Sequence, residues 1–455
     1  MTDDVITEDH TFYLLDSPIR INPANSDYLS FEGNLTIEAG VVVEIAENKG
    51  ISFDGGVNAN NYCTKFTAIG GTSPAERITI TSDVSLNTNA LWHGLAFTSD
   101  CNGVGEADRH TLTNVDISNT LHSAITAGSR PADVNGPSCG TATQDCDVGE
   151  FKMDGMTFTN VDSAFSHGSG QGTVVTMSNF AVTDARSACF DFAQNTVATL
   201  TGTASNPSTM TNCNTNYEHD GGAIVDEPGS TAGSLTLSNV EITDSYVSLI
   251  RVDLQKVTIT DVDVYVNNGA QSAVTYAADQ AWSDINGGVS LGLTHGTGGE
   301  VEITNLNAGS YHHGFIHANS VIKLTNVDLG NDWAYDFQGL ADTSQNQPNP
   351  GAHYFDINPL NGQVTNAQGT TGVNSVFDGF SAPSMTMFRT FPGTFNNINI
   401  DGDIKFSQFP SGTYTDAIEL TDIDSQLLEI DGCEANVIIR AVSYTHLTLP
   451  TNSLV

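Results

Sequence analysis

The sequence predicts an all-β solenoid whose turns stack as parallel sheets. Three observations predict it. Apolar and polar residues alternate with period two along most of the chain, a short phrase recurs at a spacing near 21 residues, and Gly, Asn, Asp and Ser mark the corners with no helical stripe between them.

The phrase reads apolar, Thr or Ser, Asn or Asp, then apolar again. Its fullest copies are Leu112-Thr113-Asn114-Val115-Asp116-Ile117 and Leu237-Ser238-Asn239-Val240-Glu241-Ile242. It returns around Asn179, Asp261, Asn305, Asn326 and Asp422, so the steps between the Asn/Asp positions are 65, 60, 22, 44, 21 and 96 residues. These fall close to multiples of about 21, with drift that insertions explain. Val, Ile, Thr and Phe suit a pleated, half-buried surface. With neighbouring strands roughly 4.8 Å apart, about 20 turns of roughly 21–24 residues would make a rod on the order of 90–100 Å long.

The Asn/Asp positions admit two structural readings. They are turn residues that tolerate positive φ, or they stack as an amide ladder from turn to turn. Either reading is preferred here to ligand binding.

Composition narrows the function. The chain has 14 Lys+Arg against 53 Asp+Glu, a net charge of −39. Its basic residues are scattered singly, so a phosphate backbone or an anionic membrane surface would be repelled. Apolar runs fall short of the roughly 20 residues a membrane helix needs. Residues 1–30 are expected to be a lead-in and cap, 31–440 the solenoid, and 441–455 a non-native tail. The tail is marked by Val442-Ser443-Tyr444-Thr445-His446-Leu447-Thr448-Leu449-Pro450, which reads as translated adapter sequence.

The first hundred residues carry a more particular order. Asp27-Tyr28-Leu29 leads into Gly33–Ile45, then Ile51-Ser52-Phe53-Asp54-Gly55-Gly56, Phe66–Pro74, Ile78-Thr79-Ile80-Thr81-Ser82 and Trp92-His93-Gly94-Leu95-Ala96-Phe97. This order resembles the opening of right-handed parallel β-helix, pectin-lyase-like proteins of the secreted or surface-anchored microbial kind. The resemblance implies a right-handed parallel β-helix and a secreted or cell-surface location. It leaves function open, because the same solenoid carries adhesins, surface-layer components, polysaccharide lyases and glycosidases. The polygalacturonase-like motifs of that fold are not matched: Asp-Asp occurs only as Asp3-Asp4, and neither Gly-His-Gly nor Arg-Ile-Lys is present.

Two clusters are candidate sites. His312, His313 and His317 precede Asp332, Trp333, Tyr335 and Asp336 by about one turn. Stacked, they would offer imidazoles and carboxylates beside an aromatic sugar platform, with His313 and Asp332 as catalytic candidates and His312, His317, Trp333, Tyr335 and Asp336 as carbohydrate contacts. The other cluster pairs Glu218 with Asp220 as an acid and base, or joins Asp220 to Asp226 and Glu227 as oxygen ligands for calcium, the one cofactor suggested. A solvated acidic loop is the plainer reading of that second cluster. Among seven Cys, Cys189 and Cys213 are 24 residues apart, near one turn, at a spacing compatible with a disulfide. Cys139 with Cys146 and Cys63 with Cys101 are the other candidate pairs, and pairing would fit an oxidising place.

The expected function is a structural or adhesive role outside the cell or at its surface, with carbohydrate binding along the rod. The alternative is a polysaccharide lyase or glycoside hydrolase. Expected partners are extracellular polysaccharide or other surface proteins, with no nucleic acid and no membrane insertion.

Overall fold

The fold was obtained as a computed structural model. It describes residues 4–54, 64–85, 87–98, 109–128, 149–167, 173–192, 195–216, 222–226, 233–245, 248–251, 254, 256–265, 289–293, 300–307, 314–318, 321–328, 356–357, 375–382, 385–388, 393–407, 418–431 and 437–448. Among these there is no helix, and the chain is a right-handed parallel β-helix. It divides into two compact units, Met1–Val240 and Glu241–Val455.

In the first unit each turn contributes up to three short strands, one to each face of the coil. Face one runs from Val5–Ile6 through Tyr28–Phe31, Gly50–Phe53 and Leu95–Phe97 to Gly222–Asp226. Face two runs from His10–Phe12 through Leu35–Ile37, Phe66–Ile69, Arg109–Thr113, Glu150–Asp154 and Val174–Ser178. Face three follows, with Ile19–Ile21, Val42–Ile45, Ile78–Ser82, Val115–Ser118, Thr157–Val161 and Ala181–Ala185. Pairing is parallel throughout, Leu29 beside Ile51 and Ile51 beside Leu95. Residues 5–21 already pair with the next turn.

Alternation places one set of side chains inside. On faces two and three the patterns are clean, as in Ile78–Ser82, where buried and half-buried residues alternate. The interior is aromatic along its length. Phe31, Phe53, Phe97, Phe151, Phe165 and Phe192 follow one another with ring centroids 5.9, 4.6, 4.9, 5.3 and 6.1 Å apart. Fully buried His110 sits in this column, 4.5 Å from Phe97 and 4.8 Å from Phe151, and its Nδ1 accepts the backbone N–H of Phe66 at 3.2 Å.

Turn length varies because insertions enter the connections. On face two the register advances 25 residues from His10 to Leu35, 44 from Thr67 to Thr111, and 24 from Lys152 to Thr176. The shortest turns match the expected repeat, and the long ones explain why fewer strands than about 20 stack on this face among the described residues.

In the second unit, faces two and three fuse into single bent strands. Lys256–Tyr265, Glu300–Asn307, Val321–Asp328, Ser375–Ala382, Gly393–Ile400, Ile418–Asp431 and Val437–Thr448 pair in parallel in that order. The last strand runs into the segment set apart as a tail, with Val442 beside Ile423 and Leu447 beside Leu428.

Candidate functional site

The bend explains the recurring phrase. Asn114, Asn179, Asn239, Asp261, Asn305, Asn326 and Asp422 all have left-handed φ, between 50° and 54°. One such residue turns the corner between faces two and three and shifts the inward parity. Buried Ile259 is therefore followed by buried Val262, three residues on, across Asp261. Asn and Asp tolerate this conformation because their short polar side chains bond locally.

These side chains also bond across turns. Asn305 Nδ2 donates to Asp261 Oδ1 at 2.7 Å, and Asn326 Nδ2 donates to Asn305 Oδ1 at 3.1 Å. In the first unit, Asn179 Nδ2 donates to Asp154 Oδ1 at 2.8 Å and Asn114 Nδ2 to the Gly70 carbonyl at 3.1 Å. At Asp261, Asn305 and Asn326 both structural readings hold at once.

A second column, which the sequence reading missed, closes face three. Asn119, Asn160, Asp184 and Asn212 have φ between 53° and 59°. Asn160 Nδ2 donates to Asn119 Oδ1 at 2.8 Å, and Asn212 Nδ2 to Asp184 Oδ1 at 2.8 Å. The signal was present in the sequence: Asn or Asp directly follows Ser118, Thr159, Thr183 and Thr211, the same Ser/Thr-Asn/Asp step that marks the first column.

The described arginines of the first unit stitch the same turns. Arg20 meets Glu44 at 3.0 Å, and Arg109 meets Glu150 at 2.8 Å, each a register partner one turn on. Arg77 reaches further. Its Nε donates to both Asp116 oxygens at 2.9 Å, and its terminal nitrogen donates to Asp116 Oδ1 at 2.6 Å, the Gly155 carbonyl at 2.7 Å and Thr157 Oγ1 at 3.1 Å. Arg186 reaches back to the Thr120 and Leu121 carbonyls.

Face one differs from the other two. From Tyr28–Phe31 to Ile125–Ala127 its outward side chains are buried as well as its inward ones: Ser30, Ser52, Ala96 and Thr126 form a register column in which each is at most 7% exposed, and the column continues into half-buried Ser166 and Asp191. Ser30 and Ser52 share a hydrogen bond of 3.1 Å, and Ser52 Oγ donates to Asp54 Oδ2 at 3.1 Å.

A group of titratable side chains lies at the corner leading into face one. Tyr28 packs against His93, ring centroids 5.6 Å apart, and His93 against His122 at 5.3 Å. Gly50 makes room, since a Cβ there would lie 2.5 Å from Tyr28 Cε1. His93 Nδ1 is buried without a hydrogen-bond partner, and its backbone N–H donates to the Lys49 carbonyl at 2.7 Å. Burial, then the neighbouring His122, lowers the His93 pKa to about 4; burial, then Arg186, lowers that of His122. Both imidazoles are therefore neutral at pH 7. His93 and His122 are 29 residues apart, and a ring pair at that separation has no local signature in the sequence.

Of the sequence candidates, Cys189 and Cys213 are joined by a disulfide, Cα–Cα 5.3 Å, and both are fully buried. Asp226 ends the strand Gly222–Asp226 with its backbone beside Phe192, and His317 lies in Gly314–Ala318 beside Gly292. Glu218, Asp220, Glu227, His312, His313, Asp332, Trp333, Tyr335 and Asp336 lie outside the described residues, as do Cys63, Cys101, Cys139 and Cys146. Among the described residues, no group of three or more His, Cys, Asp or Glu could hold a metal ion, and no helix is long and apolar enough to cross a membrane.

No protein-family model, curated protein or solved structure matches this chain.

Proposed function

We propose that the chain is a structural or adhesive protein of the cell surface or its surroundings, of pectin-lyase-like kind, in which the solenoid is a stiff spacer and its loops contact extracellular polysaccharide or other surface proteins. The observation that carries this reading is the cross-turn stitching. Amide columns and arginines both spend their hydrogen bonds on neighbouring turns, as Asn326 does on Asn305 and Arg77 on Asp116. In a solenoid each turn is stabilised by its neighbours, so such bonds stiffen the stack without enlarging any one core. Among the described residues of the first unit, Arg20, Arg77, Arg109 and Arg186 are each bonded to a neighbouring turn, a use that favours a spacer over a lyase, whose chemistry on an acidic polymer needs a cation at the substrate.

The experiment is single-molecule stretching of the chain held by its two ends. Asn305→Ala and Arg77→Ala should each lower the force at which their own unit yields. Equal yield forces in the variants and the parent would sink the spacer reading.

A further inference from the structure

The corner at His93 joins turns that are distant in sequence. Tyr28 crosses the bare Cα of Gly50 to reach His93, and His93 meets His122 from the next turn. We propose that the His93–His122 pair is an acid-sensitive latch, closing this corner while both imidazoles are neutral and opening it when they are protonated.

The surroundings leave protonated rings little compensation. From the turn below, Asp27 faces the pair, but Lys49 Nζ already holds its carboxylate at 3.2 Å and the Ser26 carbonyl at 2.7 Å. On the far side stands the Arg186 guanidinium, bonded to the Thr120 and Leu121 carbonyls and 3.9 Å from Asp162. Tyr28 is a further titratable neighbour, packed against His93. Two imidazolium rings 5.3 Å apart would thus sit between two cations, with His93 only 6% exposed to water. Relief requires movement, and the corner has little slack: Gly94, at φ 94°, packs its Cα against the Ser123 carbonyl.

The direction in pH follows from linkage. The His93 pKa falls from 6.5 unfolded to about 4 folded, so the latch contributes fully near neutrality and is lost as pH drops from about 6.5 through about 4. For one such group the opening constant rises about a hundredfold between pH 7 and pH 4.

The test is hydrogen exchange or limited proteolysis of the full chain across that range, read at segments 87–93 and 119–124. Many carboxylates also titrate there, so the parent is compared with His93→Phe and His122→Phe, which keep a ring that cannot ionise. His93→Gln serves as a second non-ionising variant should either phenylalanine fail to fold. The parent corner should open about a hundredfold more on acidification than the His93→Phe or His93→Gln corner, while His122→Phe, which leaves His93 to titrate, should remove a smaller part of that response. Equal pH dependence in parent and variants would overturn the latch.

Discussion

Asn305 bonds in both directions along its column, donating to Asp261 at 2.7 Å and accepting from Asn326 at 3.1 Å, while its own φ of 54° turns the strand. One residue thus sets the corner and couples three turns. Substitution separates the two roles. Asn305→Gly keeps the left-handed backbone and loses the bonds, which should cost about 1 kcal/mol. Asn305→Ala loses both and should cost about 2–3 kcal/mol. Urea unfolding of the two variants checks this, and equal losses would mean that only the bonds matter.

Arg77 should resist conservative replacement. Arg77→Lys keeps the charge but cannot make the forked contact with Asp116 while also reaching the Gly155 carbonyl. The expected cost is about 1–3 kcal/mol, toward the lower end because both partners are partly in solvent. Denaturant midpoints of the lysine and alanine variants should lie close together.

Reduction of the Cys189–Cys213 disulfide should lower stability by about 3 kcal/mol, the loop-closure value for its 24-residue separation. Because both sulfurs are buried, a mild reductant should act only after partial unfolding. Thiol labelling against denaturant concentration reads both effects.

Gly94→Ala should be among the most damaging single changes. The position has φ 94°, and an added Cβ would collide with the Ser123 carbonyl oxygen. Backbone strain and the clash together predict a loss above about 2 kcal/mol. Thermal unfolding beside Ala96→Gly, a buried position on the strand Leu95–Phe97 that follows, separates that conflict from a small packing defect.

The fold was legible because its rules are local. Alternation reports strands, and the three-residue step from Leu112 to Val115 across Asn114 reports a one-residue corner. What stayed hidden depends on turn length. Arg77 and Asp116 are 39 residues apart and His93 and His122 are 29 apart, distances set by insertions that no single repeat predicts. The first face was hard to read for a different reason: Tyr28–Phe31 is buried on both sides, so alternation there carries no inside and outside. The sugar, calcium and acid–base candidates at 218–227 and 312–336 rest on residue type and spacing, and most of them lie outside the described residues.

The central claim is that this solenoid supports contacts rather than catalysis. The most direct measurement is reducing-end release from a panel of acidic and neutral polysaccharides incubated with the full chain, with and without calcium. The account predicts no release above the protein-free control under either condition. Efficient release that disappears on changing one carboxylate, such as Glu218→Gln or Asp220→Asn, would contradict it.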